Sequence, residues 1–318
     1  MKSISVASSG ERIDIYLFHL FPDLTRSRIQ SLIKSQNILL NNKPTKPSFI
    51  LKGNEKIQYN FQSISEKSFN EIKSEKLDIN IIYEDNDIII LDKSPGMVVH
   101  PGAGNYSGTI LNGLIDKIDY SQFESNPGIV HRLDKETSGV MIVAKNFKTH
   151  AFLSKQFESR EVKKIYRAIV WGKCNESGLI EGNIIRNDRN RKSFILSKSD
   201  KGRYSKTTYK LIDQYGPLSY LEIMPSTGRT HQIRVHMKSI GHPIIFDNDY
   251  GGGINMVKSF HVKYTNLLKS IFKSMDRVAL HAKSIKFFHP NKDIVEYDAP
   301  IPDDFKKVIS LAKLNESL

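Results

Sequence analysis

From Ile79 onward the chain is a succession of short apolar runs, and this constrains its fold more than any other feature of it. The runs are Asn80–Tyr83, Ile88–Leu91, Val140–Ala144, Ile165–Trp171, Thr207–Ile212 and Leu218–Ile223. Each has the length and the β-branched or aromatic content of a strand, and neighbours are joined by turn residues such as Gln214-Tyr215-Gly216-Pro217. Helical periodicity returns only at about Phe147–Glu158, Thr230–Ile240 and Asp303–Leu314. Short strands with hairpin-like connections predict a mixed, mainly antiparallel sheet with flanking helices, not a repeating βαβ fold. No internal repeat of fixed period is found.

The first sixty residues read as a separate small α/β unit. Ile13, Leu17 and Leu20 recur at helical spacing with Tyr16 on the same side, which predicts a short amphipathic helix. A second helix is expected to open at Thr25, whose hydroxyl can cap it, and to carry Ile29, Leu32 and Ile33 inward. A short apolar run at Ile38–Leu40, a turn at Asn41-Asn42 and a strand near Lys56–Phe61 complete the unit. Residues 62–78 are polar and without apolar period, and are expected to be a linker. The expected organisation is α+β: a small domain over 1–61, the linker, and a large domain over 79–318.

The balance of 47 Lys and Arg against 34 Asp and Glu leaves a net charge of +13. Such a surplus favours a polyanionic partner, because basic side chains that neutralise phosphates release condensed counterions; a Lys-rich solvated surface is the alternative. The single cysteine, Cys174, excludes an internal disulfide framework and any multi-cysteine metal site. Met1–Glu11 is polar, and even Ile81–Leu91 is interrupted by Glu84, Asp85, Asn86 and Asp87, so a soluble, cytoplasmic protein is expected.

Chemistry concentrates between Gly128 and Gly139. His131, Arg132, Asp134, Lys135, Glu136, Thr137 and Ser138 fill a loop that apolar residues precede and the run Val140–Ala144 follows. A loop slung between core elements and filled with titratable groups is a common place for catalytic side chains. Composition alone does not name the reaction.

The string His131-Arg132-Leu133-Asp134 with Thr137-Ser138-Gly139 resembles the catalytic motif of the RluA-type pseudouridine synthases. Lys93-Ser94-Pro95-Gly96 and the following Met97–Gly102 resemble that family's lysine-proline loop. Lys164–Ala168 resembles its tyrosine motif, and Thr227-Gly228-Arg229-Thr230-His231-Gln232-Ile233-Arg234-Val235-His236 its arginine motif. Leu280-His281-Ala282, leading into Phe288-His289-Pro290, follows in the expected order. The first unit resembles the S4 RNA-binding domain through Arg12-Ile13-Asp14, Thr25-Arg26-Ser27-Arg28, Asn41–Lys43 and Gly53-Asn54, with Gln36 and Asn42 at two turns where that family usually has glycine. The stretch Val98–Asn105 is most similar to the branch that modifies the intersubunit stem-loop of 23S large-subunit ribosomal RNA.

The resemblance implies an isomerase that needs neither metal nor cofactor, works as a monomer, and uses Asp134 as nucleophile. It implies Arg229 as the cation that keeps Asp134 ionised, a role a guanidinium suits because an adjacent positive charge favours the carboxylate. Tyr166 is implied to stack on a flipped uracil and Leu280 to close the pocket. Arg132 is a candidate to fill the vacated place in the RNA, with His131 beside it touching either RNA or the loop backbone. Lys93, Arg167, Arg234 and Lys135 are expected at phosphates, as are Arg26, Arg28 and Lys43 in the first unit, with Lys34 and Lys46 nearby.

Other motifs fail on spacing. Gly102-Ala103-Gly104 with Gly108 is neither a dinucleotide nor a P-loop fingerprint. His231 and His236, five apart, do not share a helical face as paired metal ligands do. Ser138 lacks the Gly-x-Ser-x-Gly elbow, and Gly251-Gly252-Gly253 reads as a flexible turn. Two rivals stand beside the isomerase: a non-catalytic RNA-binding or ribosome-assembly protein of the same fold, and a carboxylate-based nuclease, which would need a carboxylate cluster for paired metals. A synthase acting on tRNA or at another rRNA site is the nearer alternative.

Overall fold

The computed structural model describes residues 2–6, 9–21, 24, 26–60, 72–102, 104–120, 123, 127–188, 190, 193–291 and 293–314, with the side chains of Ser27 and Arg28 left aside. The chain divides into two compact units, residues 1–71 with 121–125, and residues 72–120 with 126–318.

In the first unit, β1 (Lys2–Ser5), β2 (Ser9–Arg12), α1 (Ile13–Leu20), α2 (Arg26–Lys34), β3 (Ile38–Leu40), β4 (Ile50–Lys52) and β5 (Lys56–Tyr59) follow in order. β5 lies between β1 and β3, antiparallel to both, and β2 pairs with β4. Ile13, Leu17, Ile29, Leu32, Ile33, Ile38 and Ile57 form the core, as their spacing predicts. Leu20 differs: it ends α1 with 45% of its surface exposed. The expected cap Thr25 lies outside the described residues. At the end of α2, Gln36 takes a left-handed φ of 61°, its N–H donating to Ile33 O and that of Asn37 to Leu32 O. This is a Schellman closure, and glutamine fills a position that glycine would fill without strain.

In the second unit, β6 (Asn80–Glu84), β7 (Ile88–Lys93), α3 (Ile110–Leu114), β8 (Ser138–Ala144), α4 (Phe147–Glu158), β9 (Lys163–Trp171), β10 (Ser177–Arg186), β11 (Phe194–Leu196), β12 (Arg203–Tyr215), β13 (Leu218–Pro225), α5 (Gln232–Ser239), α6 (Thr265–Phe272), β14 (Leu280–Phe288), β15 (Ile294–Asp298) and α7 (Asp303–Leu314) follow. Among the described residues the sheet runs β11-β10-β12-β13-β9-β14-β8-β7-β6, with β15 also on β14. Every pairing is antiparallel except β14 with β8. The sheet is therefore mixed and mainly antiparallel. One core unites Trp171, Leu221, Ile223, Met237, Leu268, Ile271, Phe305 and Val308, so α5, α6 and α7 share a core with β9 and β13.

The expected linker is only partly outside this unit. Residues 61–71 lie outside the described residues, but Lys73 and Glu75 are tied to α3: Lys73 O accepts from Asn112 Nδ2 at 2.9 Å, and the Glu75 N–H donates to Asn112 O at 3.0 Å. The three glycines at 251–253 form a packed turn, not a loose one. A Cβ on Gly252 would lie 1.7 Å from Ile244 O, and its carbonyl accepts the Trp171 indole N–H at 2.9 Å.

Candidate active site

The loop before β8 is held from below. Thr137 N–H donates to Asp134 O at 3.1 Å and closes a turn around Lys135 and Glu136. The Lys135 carbonyl accepts the Gly96 N–H and also the ammonium of Lys93. Lys93 is fully buried and donates as well to Ser94 O and Met97 O, at 2.9 Å each. Burial draws its pKa down to about 8, against the attraction of Asp134. This corrects the expectation of a phosphate contact: Lys93 ties the lysine-proline loop to the catalytic loop and has no surface to offer RNA.

On the other side of the loop, Gly139, second in β8, has φ +114°, and a Cβ there would meet Ala282 O at 2.2 Å. Only glycine permits the parallel seam between β8 and β14 to close so tightly. Ser138 Oγ lies 2.9 Å from His281 Nδ1 and accepts from Arg277 Nη1 at 3.1 Å; Arg277 in turn grips Asp304 of α7 at 2.6 and 2.8 Å. Local pattern does not reveal this network, because Ser138 lies more than a hundred residues from His281 and Arg277.

Above the loop opens a cleft of about 380 Å³ lined by Arg132, Asp134, Tyr166, Arg229, His231, Arg234 and Leu280, among others. Asp134 is half-buried in it. Its cationic partner is Arg234, whose Nη1 lies 3.7 Å from Asp134 Oδ2. His231 Nε2 stands 4.0 Å from the same oxygen. This corrects the assignment of Arg229 to that place. The segment Thr227–Gln232 is pinned to β12, with Gln232 Nε2 donating to Lys206 O and Gln232 Oε1 accepting the Arg229 N–H. Arg229 therefore sits in the turn before α5 and donates to Tyr204 O at 3.1 Å. Arg234 lies in the first turn of α5, which points it inward.

Arg234 is 7% exposed and cannot serve as a free phosphate contact. Asp247 holds it in bidentate fashion at 2.7 and 2.8 Å, Asp249 adds a bond at 3.0 Å, and the guanidinium lies 4.8 Å over the ring of Tyr250. Burial opposes its charge, but Asp247, followed by Asp134 and Asp249, outweighs burial and raises its pKa. Asp247, Asp249 and Tyr250 thus hold Arg234 in place, a role that nothing in their local sequence pattern announced.

Tyr166 of β9 and Leu280 of β14 flank the cleft. Burial, with the Asp134 charge nearby, pushes the Tyr166 hydroxyl well above the ordinary tyrosine range, so it stays protonated. His131 stacks on Phe157 with ring centroids 4.8 Å apart and accepts the Ile142 N–H on Nε2 at 3.0 Å. Burial holds its pKa down to about 3. It is a neutral brace between the loop and β8, half-buried at the cleft wall. Arg167, expected at a phosphate, is half-buried and its charge is matched by Glu222 at 2.5 Å. Arg132 and Lys135 are exposed.

A basic rim was only partly foreseen. Lys164 lines the cleft, and burial lowers its pKa to about 8. Burial also lowers that of Arg229, with the charges of Arg203 and Arg160 adding to the effect. Among the described residues none of these four cations pairs with a carboxylate. In the first unit, Asp14 is fully buried; hydrogen bonds from Arg12, Gln30 and Arg26 outweigh that burial and hold its pKa below the ordinary range. Arg26 is thus an internal partner as well as a half-exposed cation, Lys43 is exposed, and the Arg28 side chain lies outside the described residues.

Residues 87–239 match the RNA pseudouridylate synthase family, and residues 11–57 match the S4 domain. An uncharacterized RNA pseudouridine synthase of Chlorobaculum parvum is 37% identical over 315 residues, covering 96% of this chain and 95% of its own. The chain belongs to the RNA pseudouridine synthase family. The ribosomal large subunit pseudouridine synthase D of Neisseria meningitidis serogroup B is 38% identical, covering 99% of this chain and 82% of its own. The solved structure of human RNA pseudouridylate synthase domain containing 4 shares the fold, with a TM-score of 0.58 at 23% identity over 74% of this chain and 93% of that one. The activity of an RNA pseudouridine synthase follows from family membership. No described group of three or more His, Cys, Asp or Glu side chains could hold a metal ion, and no described helix is long and apolar enough to cross a membrane.

Proposed function

We propose that this chain converts uridines of large-subunit ribosomal RNA to pseudouridine, with Asp134 as nucleophile. One observation carries the mechanistic reading: a half-buried carboxylate at the base of a basic-rimmed cleft, facing Arg234 across 3.7 Å. The nearby guanidinium favours the ionised form that a nucleophile needs. The substrate class is supported by the name of the Neisseria meningitidis relative, which spans 99% of this chain.

The target uridine must leave its stack to reach Asp134, at a cost of a few kcal/mol. Tyr166 offers a ring on which the extruded uracil can rest, recovering about 1–3 kcal/mol. Leu280 closes the opposite side, Arg132 enters the space left in the RNA, and Lys164, Arg160, Arg203 and Arg229 face the backbone phosphates. The N1–C1′ bond breaks, the base turns, the C5–C1′ bond forms, and the C5 proton is lost while N1 gains one. No electrons are gained or lost overall, so the chemistry calls for no redox carrier. A monomeric, cytoplasmic enzyme that turns over without added metal is the form expected.

The experiment is a pseudouridine map of ribosomal RNA from cells with and without the gene, complemented by wild type or Asp134→Ala. Loss at a small cluster of large-subunit uridines, restored only by wild type, is the expected result. Unchanged rRNA in the deletion strain would refute the substrate, and restoration by Asp134→Ala would refute the nucleophile.

A further inference from the structure

Tyr250 is 1% exposed, and its hydroxyl has two neighbours. It accepts the N–H of Phe194 at 2.9 Å and lies 2.9 Å from His231 Nδ1. A backbone N–H can only donate, so the phenolic oxygen is an acceptor on that side and its own proton must go elsewhere. Among the described residues, the imidazole Nδ1 is the acceptor within reach. Nδ1 therefore receives the tyrosine proton in its hydrogen bond, and a neutral ring must carry its own proton on Nε2. That nitrogen stands 4.0 Å from Asp134 Oδ2. The same tautomer follows from the other end of the ring, since a lone pair facing a carboxylate repels it and an N–H attracts it.

We infer that Tyr250 fixes the tautomer of His231 so that its Nε2–H faces Asp134, making His231 a second positioning donor for the nucleophile beside Arg234. The ring is held in place by a left-handed backbone at His231 (φ 54°) and by edge-on packing against Phe194 and Tyr250, at interplanar angles of 79° and 84°. Burial keeps it neutral at physiological pH, against the pull of Asp134. Both donors converge on Oδ2, which leaves Oδ1 as the oxygen turned toward the uridine. At 4.0 Å the N–H steers the carboxylate electrostatically, and no proton is transferred. The inference rests on Asp134 as nucleophile.

The test is single-turnover conversion of a large-subunit rRNA transcript by the full chain and five variants: His231→Leu, His231→Gln, Tyr250→Phe, Tyr250→Phe combined with His231→Gln, and Asp134→Asn. His231→Leu lowers the maximal rate about tenfold while leaving half-saturation by RNA unchanged, as loss of one donor to a charged group predicts. His231→Gln, whose amide N–H can occupy the Nε2 position without any tautomer choice, regains most of that rate. Tyr250→Phe frees the ring to take the wrong tautomer and lowers the rate roughly two- to threefold, yet it causes no further loss in His231→Gln. The inference is overturned if glutamine is as slow as leucine, or if Tyr250→Phe slows the glutamine variant as much as wild type. Turnover by Asp134→Asn would overturn it together with the nucleophile assignment, an outcome distinguishable because the histidine and tyrosine variants leave that assignment standing.

Discussion

Replacing Arg277 with methionine tests whether the C-terminal helix supports the catalytic loop. The side chain is 5% exposed and makes three strong contacts: to Asp304 of α7 at 2.6 and 2.8 Å, and to Ser138 Oγ at 3.1 Å. Its guanidinium also lies 5.4 Å over the Phe305 ring. Methionine keeps most of the packing volume but leaves the Asp304 carboxylate without its cation. Breaking a wholly buried pair costs about 3–5 kcal/mol. Asp304 is 28% exposed and can take up water, and Ser138 retains its bond to His281, so about 2–4 kcal/mol is expected here. For a unit of this size that lowers the melting temperature by roughly 5–15 °C. The assay pairs a thermal melt with single-turnover conversion well below the new melting point. The rate is expected to fall at saturating RNA, because Ser138, four residues from Asp134, loses its bond from Arg277. A melting temperature within about 2 °C of wild type, or a large loss of stability with an unchanged rate, would refute the link between α7 and the loop.

Two further outcomes can be checked directly. Gln36→Gly is expected to stabilise the first unit by about 0.5–1 kcal/mol, since the left-handed cost of about 1–2 kcal/mol exceeds the extra unfolded-state entropy of glycine; a lower melting temperature would contradict that balance. Lys164, with its pKa lowered to about 8, is charged below that pH and neutral above it. RNA affinity at constant salt should therefore weaken as pH rises from about 8, and Lys164→Arg should flatten that response; a wild-type affinity unchanged between about pH 7 and 9 would remove Lys164 from the phosphate-facing rim.

Local sequence determined a good deal. Apolar periodicity placed α4 and α7 at the observed residues and most central strands to within a few positions, because burial on one face leaves a readable period. The clustering of titratable groups before β8 marked the Asp134 loop for the same reason: polar side chains interrupt an apolar run only where the fold displays or ties them. In the second unit periodicity was silent on α3, β10, β11, α6, β14 and β15; of these β10, β11 and β15 alternate weakly, with Leu179, Ile195 and Ile294 facing outward. Tertiary structure alone decided which arginine meets Asp134. Arg229 and Arg234 both belong to one short motif, but the left-handed residue His231 separates the turn from the helix and sends the two side chains in different directions. It also decided that Lys93 is a buried tie and that Asp247 and Tyr250 order the site. Charge and spacing state what a side chain can do; only the packing of distant strands states which neighbours it meets, and the energy of a cation depends on those neighbours.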